Sequence, residues 1–299
     1  VSKNRNTAFN IGTRFNYLDK FKKSILEPRF SFNQKFLNDF RFEILGEFKH
    51  QYTSQVVNFQ NDFLGIEKRR WQLSNNEEIP VITSKQLSTG ISFSKKGWLL
   101  SLEGYYKMVD GITSQSQGFQ NQYRFSNVSG SYDVKGIDFL FRKGIGSFSG
   151  WLSYSFMDNT YKFNSLDEPS FPSNYNITHA LTLGTAYTKN RFKVSAGFNW
   201  HSGKPTTEPI FGNEIVNNEV NFGAANNQSL EDYLRFDISA IYDLKFCHHV
   251  NATIGLSVWN VLDKENIINS FYSVQDQNLL KTNQQSLAIT PNAFIRVYF

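Results

Sequence analysis

From Arg191 to His201 the chain alternates: Phe192, Val194, Ala196, Phe198 and Trp200 are apolar, while Lys193, Ser195, Gly197, Asn199 and His201 between them are small or polar. Successive side chains of an extended backbone point to opposite sides, so period two predicts a strand with one greasy face and one wet face. The same reading sets Phe148, Leu152, Tyr154 and Phe156 against Ser149, Ser153 and Ser155. It sets Leu234, Phe236, Ile238, Ala240 and Tyr242 against Arg235, Asp237, Ser239 and Asp243. Val250 to Val258 and Ile137 to Arg142 alternate too, and looser alternation runs through Phe9 to Tyr17, Phe30 and Phe32, Phe42 to Phe48, and Leu100 to Tyr106. No segment of comparable length repeats at a helical period.

The connections between these segments are expected to be of two kinds. Tight ones fall at Leu37-Asn38-Asp39, Lys95-Lys96-Gly97, Gly144-Ile145-Gly146, Lys189-Asn190-Arg191 and around Cys247-His248-His249, where hairpin turns take small, polar or glycine residues. Long ones rich in Asn, Gln, Ser and Gly fall at Tyr52 to Gln86, Gly111 to Val128, Asn159 to Asn176, Gly203 to Glu231 and Lys264 to Ser286. A strict alternation of tight turn and long loop is the habit of outer-membrane barrels, whose periplasmic turns are short and whose extracellular loops can grow. Hairpins repeating at about fifty residues give about twelve strands. The predicted fold class is therefore all-β, an antiparallel transmembrane β-barrel wall occupying residues 1–299 as one domain.

Composition agrees with sheet. Of 299 residues 40% are apolar and 16% aromatic, with 29 Phe and 14 Tyr, residue types that favour strands. A mean hydropathy of -0.42 would ordinarily point to a soluble protein, but only alternate residues of a barrel strand meet lipid, which keeps the average polar. The 31 Lys and Arg are dispersed among 26 acidic residues, without the basic block or stripe that binds nucleic acid. The single Cys247 and five scattered histidines have no zinc-site spacing, so no metal or cofactor is expected.

The last segment puts Ile289, Pro291, Ala293, Ile295, Val297 and Phe299 on one face of a strand. Together with Leu26-Glu27-Pro28-Arg29-Phe30-Ser31-Phe32, Leu102-Glu103-Gly104-Tyr105-Tyr106-Lys107, Val134-Lys135-Gly136-Ile137-Asp138, Trp200-His201-Ser202-Gly203-Lys204-Pro205 and Val258-Trp259-Asn260-Val261-Leu262-Asp263, it makes the chain resemble the TonB-dependent outer-membrane receptors, particularly those of the Bacteroidetes type. The resemblance covers most of the chain. It implies the carboxyl-terminal part of a barrel of 22 strands whose lumen is plugged by a globular domain. The plug, the segment that contacts TonB and any export signal are then expected upstream of Val1. The resemblance further implies that Ile295, Val297 and the terminal Phe299 form the signal read by the barrel-assembly machinery. A sheet made of these residues alone is expected to be either open and curved, with two unpaired edges, or artificially closed.

In such a receptor a small-molecule or oligosaccharide ligand would sit among long loops and lumen wall. Trp71, Tyr123, Arg124, Tyr175 and Phe211 are the candidates, the aromatics to stack and Arg124 to pair an acidic group. Ordinary loop packing is the competing role for each. Tyr17, Tyr106 and Trp200, near strand ends that lead into long loops, are expected in an interfacial girdle against outer-membrane lipid. Catalysis would need a base such as His179, with Asp158, Asp167 or Glu168 beside it, and nothing in the spacing selects that pair. The Asn-X-Ser/Thr sequons at Asn127, Asn176, Asn227 and Asn251 fit chance in an Asn-rich chain.

The resemblance implies an importer of a metal chelate, vitamin or oligosaccharide, driven by the TonB system. Two other readings compete. A self-contained barrel of about twelve strands would act as a passive channel, export pore or rim-sited hydrolase. A secreted β-sandwich with an adhesive role would bury its greasy face between two sheets, and leaves the pattern of turns and loops unexplained.

Overall fold

The computed structural model of the chain describes residues 2–4, 6–57, 69–75, 78–245 and 250–299. The turn expected around Cys247, His248 and His249, and the middle of the loop from Tyr52 to Gln86, lie outside them.

The twelve long strands are β1 (Thr7–Leu18), β2 (Lys23–Phe36), β3 (Phe40–Gln51), β4 (Ile82–Lys95), β5 (Trp98–Thr113), β6 (Ser129–Ile145), β7 (Phe148–Lys162), β8 (His179–Lys189), β9 (Phe192–His201), β10 (Tyr233–Lys245), β11 (Asn251–Trp259) and β12 (Thr290–Tyr298), of which all but β4 and β8 contain a period-two segment named above. Each pairs antiparallel with the next in chain order, in one meander. Three-residue pieces, Ser2–Asn4 beside β1 and Ser170–Pro172 beside β7, complete a 14-stranded sheet. Among the described residues β12 does not return to β1, so the sheet is open, with two edges.

The register places one apolar set on one face all along the meander. Phe9 stands opposite Phe32, Phe42 opposite Ile91, Leu102 opposite Phe139, Leu152 opposite Leu183, Phe198 opposite Phe236 and Ile254 opposite Ile295. The other face carries Asn10, Arg14, Glu27, Glu43, Glu103, Asp138, Ser153, Asn199 and Asp237 in matching rows. No second sheet covers the apolar face among the described residues: Ile11 is 75% exposed and Ile295 68%. A sandwich is thereby excluded for this surface, which needs lipid in place of a packed partner.

The apolar face is a bounded belt. On β6 it runs from Ile145 through Phe141 and Phe139 to Ile137, a span of about 26 Å along the strand at 3.3 Å per residue. Beyond it the same face turns charged: Lys135 pairs with Asp158 at 3.0 Å and Lys162 with Asp133. Exposed pairs like these contribute about 0–1 kcal/mol, so their meaning lies in marking where the apolar environment ends. Strands β5, β6 and β7, of 16, 17 and 15 residues, exceed the 9 to 11 that cross a bilayer and rise above the belt.

At the tight-turn end the belt finishes in rings that the sequence reading did not single out: Phe36 stacks on Phe40, Phe40 packs on Phe93, Trp98 meets Phe141 edge-on and Phe148 packs on Tyr187. Lys143, on the same face, lays its ammonium 4.3 Å from the Trp98 ring and donates to the Lys96 carbonyl, reaching from the belt towards the turn. Large rings also lie across registered glycines, as Trp151 does over Gly184, where a Cβ would meet the indole nitrogen at 2.4 Å.

Two expectations about connections need correction. Alternation of tight turn and long loop fails at its first position, because β1 and β2 are joined at the loop end by the 3-10 turn Asp19–Phe21 and Lys22, whose φ of 47° closes it. The long loops are also more folded than their polar composition suggests. Thr53–Val57 pairs with Arg69–Leu73, and Ile267–Gln275 with Asn278–Gln285. After β11 the Val258-Trp259-Asn260-Val261-Leu262-Asp263 segment makes a structural turn: fully buried Asn260 donates from its side chain to the Lys264 and Leu287 carbonyls.

Candidate ligand-binding cleft

Above the belt, the polar-face residues of β5 to β7 stop facing open space and are covered by loops. Thr113 caps the one-turn helix α1 (Ser114–Gln117) by accepting from the Ser116 N–H, and Gly118, at φ 61°, turns the chain inward. That delivers Phe119, 1% exposed, edge-on to Tyr161 and Phe163 at centroid separations of 5.6 Å. Phe171, Tyr123, Val109, Ile112 and Ala225 complete the cluster. Burying one such aromatic contributes about 1.5–3 kcal/mol, enough to hold loops 114–128, 163–178 and 202–232 as one folded cap.

Polar links lock the cap. Tyr161 donates its hydroxyl proton to Gln117 at 2.8 Å, the Glu168 N–H donates to the Tyr123 hydroxyl, and the Glu168 carboxylate accepts the Ala225 N–H at 2.6 Å. A cleft of about 480 Å³ lies between this cap, the wall and the Thr53–Val57 hairpin. Trp71 and Tyr175, 65% and 58% exposed, line it together with Gln51, Gln55, Lys107 and Tyr132. Flat rings beside amides and one ammonium can take an organic ligand by stacking and hydrogen bonding.

The five proposed ligand residues are thus divided. Trp71 and Tyr175 come from separate loops and share the cleft. Tyr123 does not: it is 5% exposed and belongs to the cap core, stacked on Phe171 at 5.8 Å, because its ring completes the cluster around Phe119. Arg124 is exposed, its guanidinium 4.3 Å from the Phe125 ring. Phe211 stands 98% exposed beside Gly212 at φ 78°, away from the cleft lining. Lys107, Tyr132 and Asn159 were missed, although their position could have shown them: they carry polar-face parity on the strand ends above the belt.

Tyr106 lies on the apolar face opposite Lys135, where the belt meets charge. Trp200, on the apolar face, donates from its indole to Asp232 at 3.2 Å. Tyr17 is on the apolar face and 55% exposed, but it precedes the short Asp19–Phe21 turn rather than a long loop. Ile295 and Val297 share that face on β12, opposite Ile254 and Ala252, and Phe299 is 98% exposed. The acid/base pair conceivable for His179 does not form: its Nδ1 shares a 2.9 Å hydrogen bond with the Tyr154 hydroxyl, while Asp158 pairs with Lys135 and Glu168 with Ala225.

The fold is that of known transport proteins. The ferric citrate transporter FecA in its unliganded form matches 98% of this chain and 42% of its own, with a TM-score of 0.65 at 10% identity. The siderophore receptor PirA from Acinetobacter baumannii matches 99% and 44%, with a TM-score of 0.64 at 15% identity. The ferripyoverdine receptor of the Pseudomonas aeruginosa outer membrane, bound to ferripyoverdine, matches 99% and 37%, with a TM-score of 0.60 at 13% identity. The chain therefore spans about two fifths of the length of these structures. No characterised protein sequence matches it significantly. The family model described as TonB dependent receptor-like, beta-barrel matches residues 9–261, and the chain, a twelve-stranded part of such a barrel, belongs to the TonB-dependent receptor family.

Proposed function

We propose that this chain is the ligand-facing wall of an outer-membrane receptor that imports a scarce nutrient, a metal chelate, vitamin or oligosaccharide, with energy from the TonB system. The observation that carries the reading is the cleft lined by Trp71, Tyr175 and Lys107 beneath a folded loop cap, on the lumen side of the wall and above the lipid belt. An exterior cap with a preformed cleft suits capture at low concentration, since little ordering remains to be done on binding. The solved relatives carry ferric citrate and ferripyoverdine by name, and at their identity they support the fold, not the ligand.

Coupling to TonB and a plug in the lumen come with this reading, as does recognition of Ile295, Val297 and Phe299 by the barrel-assembly machinery. A self-contained twelve-stranded barrel would need β12 to pair with β1, which the described residues do not do.

The test is to purify the native mature protein from outer membranes, measure its intact mass and record its conductance in a planar bilayer. A chain more than twice 34.5 kDa that passes no steady current supports the plugged importer. A chain starting near Val1 that conducts overturns it in favour of a pore.

A further inference from the structure

We propose that a small pocket built around Lys204 is an oxyanion subsite beside the ligand cleft, taking a carboxylate or phosphate-sized group of the ligand. The inference rests on the receptor reading above and narrows the chemistry of what is bound.

The pocket has a volume of about 140 Å³ and lies where α1, the 163–178 loop, the 202–232 loop and the Ile267–Gln275 strand meet. Gln117 and Tyr175 line both it and the larger cleft, so one ligand can reach from one to the other. Lys204 is held there by its backbone: its carbonyl accepts from Leu230 at 2.9 Å, and Pro205–Thr206 pairs with Gln228–Ser229. The preceding Gly203 has the Leu230 carbonyl where a Cβ would stand, at 1.6 Å. Only glycine allows that approach, and this is what the Ser202-Gly203-Lys204-Pro205 segment accomplishes.

The pocket's amides and hydroxyls are largely spent on one another. Asn226 donates to Asn174 and to the Pro172 carbonyl, Asn174 donates to the Gln117 carbonyl, and Asn121 donates to Thr207. Three carboxylates of these loops are engaged elsewhere, Glu208 with Lys281 and Tyr272, Glu168 with Ala225, and Asp232 with Trp200 and Gly203, and none of the three pairs with Lys204. The lysine is half-buried, and among the described residues its ammonium has neither an ion-pair nor a hydrogen-bond partner. Partial burial also lowers its pKa below the ordinary lysine value, because desolvation disfavours the charged form. An incoming oxyanion supplies the missing charge and accepts charge-assisted hydrogen bonds in a site already fixed.

The test uses the full-length receptor in detergent, with its lysines 13C-dimethylated, titrated with sodium acetate and with sodium phosphate. The Lys204 resonance is assigned by its loss in K204Q. The expected result is a saturable shift of that resonance in the millimolar range with either probe, accompanied by a rise of its pKa towards that of exposed lysines. K204R should retain anion binding, followed by protection of the 202–232 amides, and K204Q should lose it. A linear drift equal to that of exposed Lys162 overturns the subsite, as does saturation that survives in K204Q. The two readings fail separately: a conducting pore whose Lys204 still saturates removes the receptor and keeps the anion site. A plugged, non-conducting receptor whose Lys204 does not respond removes the subsite alone.

Discussion

The side-chain amide of Asn226 donates to the side-chain oxygen of Asn174 over 2.8 Å, joining two loops 52 residues apart in sequence. The same amide donates to the Pro172 carbonyl, and the Asn226 N–H donates to Thr207 at 2.9 Å. Asn226 is 6% exposed, with φ at 55°, a conformation that asparagine tolerates better than most residues. One carboxamide thus clasps the 202–232 loop to the 163–178 loop beside the ligand cleft.

Replacing Asn226 with Ala should therefore loosen the cap without touching the wall. The change strands buried partners on two loops and puts alanine in a left-handed conformation, a loss of about 1–3 kcal/mol. Hydrogen exchange should report it as faster exchange across residues 163–178 and 202–232, with β7 to β10 unchanged. Equal protection in both proteins would show that the clasp is idle.

Adjacent residues of β7 give a test of which face meets lipid. Leu152 lies midway along the apolar belt, opposite Phe141 and Leu183, and Ser153 lies on the other face, opposite Leu140 and Thr182. Leu152→Lys should cost about 2–4 kcal/mol near the bilayer midplane. Ser153→Lys should cost little, because its ammonium enters water. The measurement is urea-dependent folding of the full receptor into vesicles, and a comparable loss for both variants would contradict the assignment of faces.

The lumen-side contact of Trp151 with Gly184 sets a third expectation. A valine at Gly184 must push the indole off its registered neighbour, and overpacking of this kind costs about 1–3 kcal/mol. Gly184→Val should shift the tryptophan emission and lower the unfolding midpoint. Gly150→Val, on the opposite face of β7, where the nearest atom to a new Cβ is 3.6 Å away, should do neither.

What could be read from the chain follows from how far each signal reaches. Period two is local, so the alternation of Phe192 to His201 determines a strand and its faces without knowledge of any neighbour. A cap core is not local. Phe119, Tyr161, Phe163 and Phe171 sit in three segments with no shared period, and only the folded path of α1 and the Ser170–Pro172 strand brings them together. Tyr123 was misassigned for that reason: an aromatic in an Asn-rich loop looks available until its neighbours are known. Trp71 and Tyr175 came out together in the cleft, while Lys204, in the Trp200–Pro205 segment, is brought beside it only by the folded 202–232 loop.

The buried phenol of Tyr123 gives the cap a pH dependence. Its pKa is raised above the ordinary 10.0, first by burial and then by the nearby carboxylates of Glu168 and Asp167, against the Glu168 N–H, which lowers it. An opened cap releases this proton near 10.0, whereas the folded cap holds it to higher pH. Between those values the folded state binds more protons, so stability is complete below 10.0 and falls as pH rises. Tyr123→Phe keeps the stack on Phe171, gives up the acceptor for the Glu168 N–H at a loss of about 1 kcal/mol, and removes the titration. Melting of the cap followed by near-ultraviolet circular dichroism should fall less steeply above pH 10 in the variant than in the native receptor. Lys204 titrates in both and drops out of the difference, so identical slopes would mean that the Tyr123 phenol is not the group that burial holds protonated.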